Sequence, residues 1–325
     1  MALPQPLSLP QPPPLSDPWV VAWSTLAGSL ARWYLLRVDY RQYPSYPQGY
    51  AIHLSLGLVA AFLGALAVPA LVAREYAAAS FLALAATQFR EVRKIEREAL
   101  LQLEETELVR RGSAYIEGIA RVFEARNYVT MLAAILSAAL LSLLRPSWWA
   151  AGLLGLGCAA AVVATAGKAG RGLRLGDIAR VRPAALRFDG PLLTVEGAVV
   201  VNVGRAESRD TFLRMARAFV IEPLDEAAAA TLANPGQRQA LLHDLVARVG
   251  VRMDVDEPEF APLARRRAQD GSVVVVLIPV LQDVELMLDT LRRVPVLEAG
   301  VRVVGQAARD GLSPRRLQGG GGGAG

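Results

Sequence analysis

The chain has 325 residues, enough for two or three folded units, and its 53% hydrophobic share exceeds that of ordinary globular domains. Its formal net charge of +5, from 35 Lys and Arg against 30 Asp and Glu, is too small to argue for a nucleic-acid surface. A single cysteine, Cys158, excludes an intramolecular disulfide and a cysteine-cluster metal site, and the distant pair His53 and His243 gives a histidine site little support.

Residues 1–17 are rich in proline, carry no charge before Asp17 and have no basic start, so they read as a disordered tail rather than a signal peptide. Residues 19–36 form the first candidate span, with Trp19, Trp23, Trp33 and Tyr34 near its ends and Arg32 expected to snorkel to the interface; an interfacial helix is the alternative. In residues 37–50, Tyr40, Tyr43 and Tyr46 recur every third position, the polyproline II period. An aromatic belt at the headgroups accounts for them better than a partner site, although they stay candidates for interaction. Residues 51–73 are the clearest span, with Gly57 and Gly64 inside it and Pro69 near its end. Residues 76–88 continue as a short Ala-rich stretch of about 20 Å at ~1.5 Å per residue, and whether they cross is the main topological question.

The run 89–127 is dense in charge yet neutral, eight Lys and Arg balancing eight Glu. Val92, Ile95, Ala99 and Leu103 recur at helical spacing, Gly112 and Ser113 break the pattern, and Ile116, Ile119, Ala120 and Phe123 define a second stripe. The reading is a membrane-proximal helical hairpin over 90–127. Two further spans are expected at 128–144 and 148–166, separated only by Arg145, Pro146 and Ser147.

Inside the run stands the string Tyr115-Ile116-Glu117-Gly118-Ile119-Ala120. With the blocks Asp39-Tyr40-Arg41-Gln42-Tyr43-Pro44-Ser45-Tyr46-Pro47-Gln48-Gly49, Phe81-Leu82-Ala83-Leu84-Ala85-Ala86 and Phe123-Glu124-Ala125-Arg126-Asn127-Tyr128, it makes residues 38–144 resemble the bacterial YIEGIA family. The resemblance implies a membrane protein of uncharacterised function, mainly from endospore-forming bacteria, and brings no assigned activity or catalytic residues.

From Lys168 the composition changes. Strands are expected at 180–182, 186–189, 192–203, 251–255 and 301–304, helices at 210–219, 234–249 and 282–293, and residues 272–280 form a β-branched run suited to a buried central strand. The ending looks βαβ-like, so 171–311 is expected to be a cytosolic α/β domain, with 312–325 a glycine-rich tail.

The candidate constellations are few. His53 reads either as a proton-relay group or, better, as an interfacial imidazole. Glu117 and Arg121 form an i,i+4 pair, and Gly118 sits where a helix interior disfavours glycine by ~1 kcal/mol, which points to close docking rather than catalysis. Asp254, Asp256, Glu257 and Glu259 lack the pattern of a calcium loop and read as a solvated turn. Neither a phosphate-binding loop nor a G-x-S-x-G or H-E-x-x-H motif occurs. The expected protein is therefore a multi-pass inner-membrane protein: spans 1–3 over 18–89, the hairpin, spans 4–5 over 128–167, and the α/β domain. It would act as a scaffold or complex subunit, without cofactor, metal or catalytic site, touching the bilayer and a protein partner or second copy but no nucleic acid. Tyr115, Glu117, Gly118, Arg121, Tyr40, Tyr43 and Tyr46 are the expected contact residues. An oligomeric channel or transporter component, or a membrane-bound enzyme, is the competing reading.

Overall fold

The computed structural model describes residues 18–39, 47–105, 107, 109–166, 173–254 and 257–297. The chain divides into two compact units, Met1–Ile95 with Val122–Lys168, and Glu96–Arg121 with Ala169–Gly325.

Helices α1 (Pro18–Asp39), α2 (Pro47–Val72), α3 (Tyr76–Thr87), α4 (Phe89–Glu105), α5 (Ser113–Leu144) and α6 (Trp148–Ala166) precede the sheets. Among the described residues, three stretches are long and apolar enough to cross a membrane: Gly49–Val72, Ser113–Leu144 and Trp148–Thr165. α1 falls outside that set, carrying Arg32, Arg37 and Asp39, and α3 is too short at 12 residues. The second stripe and the fourth expected span form one continuous helix, α5, whose 32 residues reach about 48 Å.

Small residues set the packing of the first unit. A Cβ on Gly28 would stand 2.8 Å from that of Ala61, and one on Gly57 or Gly64 would collide with the Arg32 side chain or the Met131 carbonyl. The contacts also fix direction. His53 meets Phe123 while Gly64 meets Met131 and Ala134, so α2 and α5 run parallel. Gly28 meets Ala61 while Arg32 meets Gly57, so α1 runs antiparallel to α2. Phe89 packs edge-on to Tyr128 and Arg93 bonds Glu124 at 3.0 Å, which sets the start of α4 antiparallel to α5. Ser137 donates to the Gly155 carbonyl at 3.2 Å across the tight α5–α6 turn. Arg32 does not snorkel: its side chain is 0% exposed, because Gly57 opens a slot for its stem and the Phe123 ring receives its guanidinium 5.5 Å from the centroid.

The second unit continues with α7 (Leu175–Ile178), β1 (Ala179–Ala184), β2 (Leu186–Asp189), β3 (Leu192–Val195), β4 (Ala198–Asn202), α8 (Ala206–Met215) and β5 (Arg217–Pro223). It ends with α9 (Glu226–Ala233), α10 (Pro235–Val249), β6 (Met253–Asp254), β7 (Glu257–Pro258), β8 (Leu263–Arg266), β9 (Val273–Leu277) and α11 (Val284–Arg293). The main sheet has the order β1-β5-β9-β8, and every pair in it is antiparallel. A second sheet, β2-β3-β4, turns between its last strands through Glu196 and Gly197, both at positive φ.

The β-branched run is the buried inner strand β9, all five residues covered, but its neighbours are antiparallel and the βαβ-like ending is not what forms. Val274 and Val276 face a core with Leu193, Val195, Val200, Phe212 and Val220. The alternate residues face the other layer, where α9 packs on β5, α10 on β8 and α11 on β1. Two covered faces explain unbroken burial without a parallel sheet. The helix expected at 210–219 ends at Met215, and residues 217–223 become β5, at the centre of the main sheet. The strand expected at 251–255 shrinks to the two residues of β6 and an isolated bridge at Val251, and that expected at 301–304 lies outside the described residues.

Candidate functional site

Of the residues singled out by the sequence, Tyr115, Glu117, Gly118 and Arg121 lie together in the first turns of α5. The helix start is built by a carboxylate and a glycine. Glu104, buried near the end of α4, accepts from the backbone N–H of Arg111 and, at 3.1 Å, of Gly112, and pairs with the Arg111 guanidinium at 3.1 Å. Gly112 has φ +96°, a conformation that side chains resist.

The same start rests on α10. The N–H of Tyr115, one of the donors a helix leaves unpaired at its beginning, donates to Gln239 Oε1 at 2.9 Å. A Cβ on Gly112 would stand 2.6 Å from the Gln239 amide, and one on Gly236 would stand 2.8 Å from the Ala114 carbonyl. Asn234 caps α10 by accepting from Gly236 N–H at 2.8 Å, which presents this surface at a fixed angle. Further along α10, burial pushes the Asp244 carboxyl above its usual range, against the pull of His243, Arg111 and Arg248.

The motif thus has two sides. Tyr115, Ile116, Ile119 and Ala120 are buried inside the chain, Glu117 and Gly118 are half-buried, and Arg121 is exposed. Glu117 lies 4.0 Å from Arg97 and 3.5 Å from Arg121, pairs open enough to water to contribute about 0 to 1 kcal/mol. Tyr40, Tyr43 and Tyr46 lie outside the described residues.

The first unit holds a separate polar layer. His53 is 2% exposed and stacks on Phe123 with centroids 4.0 Å apart, so its ring is buried among the helices of this unit. Arg32 approaches the same ring, and Arg126, Asn127 and Thr130 on α5 are buried as well. This layer places ionisable groups in the interior of the first unit.

Among the described residues, no three His, Cys, Asp or Glu gather as metal ligands; Asp256 of the acidic turn lies outside them. An open cleft of about 340 Å³ sets Asn202, Arg205, Ser208 and Glu259 around an apolar floor of Phe212 and Phe260, without a nucleophile paired to a base. Sequence reasoning missed Glu104, Gly236 and Gln239. Gly236 was open to detection, since Asn234-Pro235-Gly236 spells a helix start with glycine where alanine suits the helix better. Gln239 carries no signal of its own.

An apolar helical unit, an antiparallel α/β unit and a motif helix shared between their sequences define a class: multi-helix proteins with an appended α/β domain. The chain belongs to the YIEGIA family, whose sequence model, described as YIEGIA protein, matches residues 20–306 and so takes in α1 and most of the α/β unit as well as the motif. It is similar to "Uncharacterized protein YphB" of Bacillus subtilis (strain 168), 42% identical over 278 residues that make up 86% of this chain and 92% of that protein. No solved structure matches it.

Proposed function

We infer that the protein is an integral component of the bacterial cytoplasmic membrane that crosses it five times, keeps its α/β domain in the cytosol, and serves as a scaffold or subunit of a membrane complex. The observation that carries this reading is how the motif is used. The N–H of Tyr115 and the backbone at Gly112 and Ala114 are used in holding the start of α5 against α10, its apolar residues are buried, and Glu117, Gly118 and Arg121 form the edge left accessible. That is the arrangement of a rigid presenting surface, with small and charged groups offered to a protein partner or a second copy. A place in sporulation is suggested only by the family resemblance.

The crossing count is supported by helix direction, since parallel α2 and α5 require the chain to return between them through α3. The accessible edge is tested by Gly118→Leu and Glu117→Gln in the full chain at matched membrane levels, reading recovery of associated proteins after mild detergent extraction. A steric docking role predicts a strong loss for the first and a mild loss for the second, since the ion pair contributes only about 0.3 to 0.5 kcal/mol. Normal assembly with Gly118→Leu together with lost function in Glu117→Gln would overturn the scaffold reading, because a carboxylate used as acid or base cannot be replaced by an amide.

A second reading, a channel or transporter component, is favoured by one observation, the buried polar layer of Arg32, His53, Arg126, Asn127 and Thr130. Ionisable groups among apolar helices mark pathways more often than packing.

A further inference from the structure

Four hydroxyls among the apolar helices, Ser24, Thr25, Thr130 and Ser142, have no hydrogen-bond partner among the described residues, and the two of them that are fully buried, Ser24 and Thr130, lie with Asn127 along the seam where α1, α2 and α5 meet. Ser29, Ser55 and Thr165 bond the carbonyl four residues back, at 2.8, 2.9 and 3.1 Å, which is the default of a helical hydroxyl. Ser24 and Thr130 are 0% exposed and Asn127 is 2% exposed, yet Ser24 Oγ, Thr130 Oγ1 and Asn127 Oδ1 have no hydrogen-bond partner among the described residues.

Their positions place them on the seam. Val21 packs on Ala61, Ala65 and Ala134, and Gly28 packs on Ala61, Thr130 and Ala134, so Ser24, between them on α1, faces the same way. Asn127 stands one turn before Thr130 on α5 and one turn after Phe123, which carries His53 and Arg32. Buried polar atoms in folded proteins are nearly always bonded, and orphans among apolar helices cost more because neither lipid nor alanine offers a partner. Internal water, which takes about three hydrogen bonds from such groups, is the small ligand that suits hydroxyl and amide oxygens equally.

We propose that the α1–α2–α5 seam is an internal hydration site, in which Ser24, Asn127 and Thr130 hold ordered water and extend the polar layer of Arg32 and His53 into the helix bundle. It deepens the second functional reading by giving that layer a wet interior. It does not depend on the crossing count or on any partner, because the atoms concerned all lie within one unit.

The test uses the full-length protein, labelled with ¹³C-threonine and ¹³C-alanine, in lipid nanodiscs. In water-edited solid-state NMR, the Thr130 signal, identified by its loss in Thr130→Val, should gain magnetisation from water about as fast as that of exposed Thr87. A build-up as slow as that of buried Ala61 would overturn the proposal while leaving the crossing topology and scaffold reading standing. A second readout is the sign of a stability change. If water is bound, the near-isosteric Thr130→Val strands it beside its remaining partners and lowers the melting midpoint by a few degrees; if the seam is dry, removing an unsatisfied hydroxyl leaves the midpoint unchanged or raises it. An unchanged or raised midpoint counts against the site, and the wild-type build-up separates wet from dry even if the variant fails to fold.

Discussion

Glycines among the apolar helices look alike in the sequence and differ in the fold. A Cβ on Gly64 would run into the backbone carbonyl of Met131, which cannot swing aside, whereas one on Gly157 would meet nothing within 4 Å. Gly64→Ala should therefore lower the thermal midpoint of the purified protein in detergent markedly, the cost of forcing α2 away from α5. Gly157→Ala should be neutral or stabilising by up to about 1 kcal/mol, since alanine is the better helix former. Equal midpoints for the two variants would mean that α2 and α5 do not pack at Gly64. In the sequence both are glycines within apolar stretches, and only the partner helix, which no local pattern names, separates them.

Among elements, long periodic patterns were readable and short ones were not. The helix at 234–249 is visible because a cap, a proline and an amphipathic stripe agree, and α10 starts where they say. The stretch 210–219 misleads because Phe212, Met215 and Phe219 keep helical spacing across a change of element. Ala218, Phe219, Val220 and Ile221 instead pair with Val276, Val275, Val274 and Val273 of β9, contacts made by residues over fifty positions away. Polar networks between strands were equally invisible. Arg182 of β1 bonds Glu196, in the β3–β4 turn, and Glu222 of β5, while Arg267 bonds Glu196 and Asp270. Burial alone would raise Asp270, but hydrogen bonds from Arg267 and Ser272 outweigh it and hold the carboxyl below its ordinary 3.8. A lowered folded pKa means stability that is complete above the unfolded value and lost as pH falls through the folded one. Chemical denaturation should thus show the α/β unit weakening below pH about 4, and Asp270→Asn should flatten part of that acid limb while lowering the neutral plateau. An acid limb identical in the variant would show that the pair does not differ between folded and unfolded chains.

At the scale of the whole molecule the open question was α3, whose 12 residues look too few to cross. Helix directions supply the missing constraint. From His53, level with Phe123, α2 climbs nineteen residues to Val72, about 28 Å. Phe89 re-enters level with Tyr128, five residues or about 7 Å above Phe123. The return is therefore about 21 Å, which α3 at about 18 Å plus its flanking turns spans with nothing to spare. A bilayer core of about 30 Å would then thin locally or meet another helix at that point. Residues 1–31 contain no Lys or Arg, while Arg32, Arg37 and Arg41 come at and after the end of the first apolar stretch in the sequence. Cationic residues near span ends are retained in the cytoplasm, so this end is expected inside and the N-terminus outside. An impermeant maleimide applied to intact cells should label Ser8→Cys and spare Ser45→Cys until the membrane is opened. Labelling of Ser45→Cys from outside would invert the bundle, because Ser45 stands two residues before the start of α2 and the parallel course of α2 and α5 gives both the same direction.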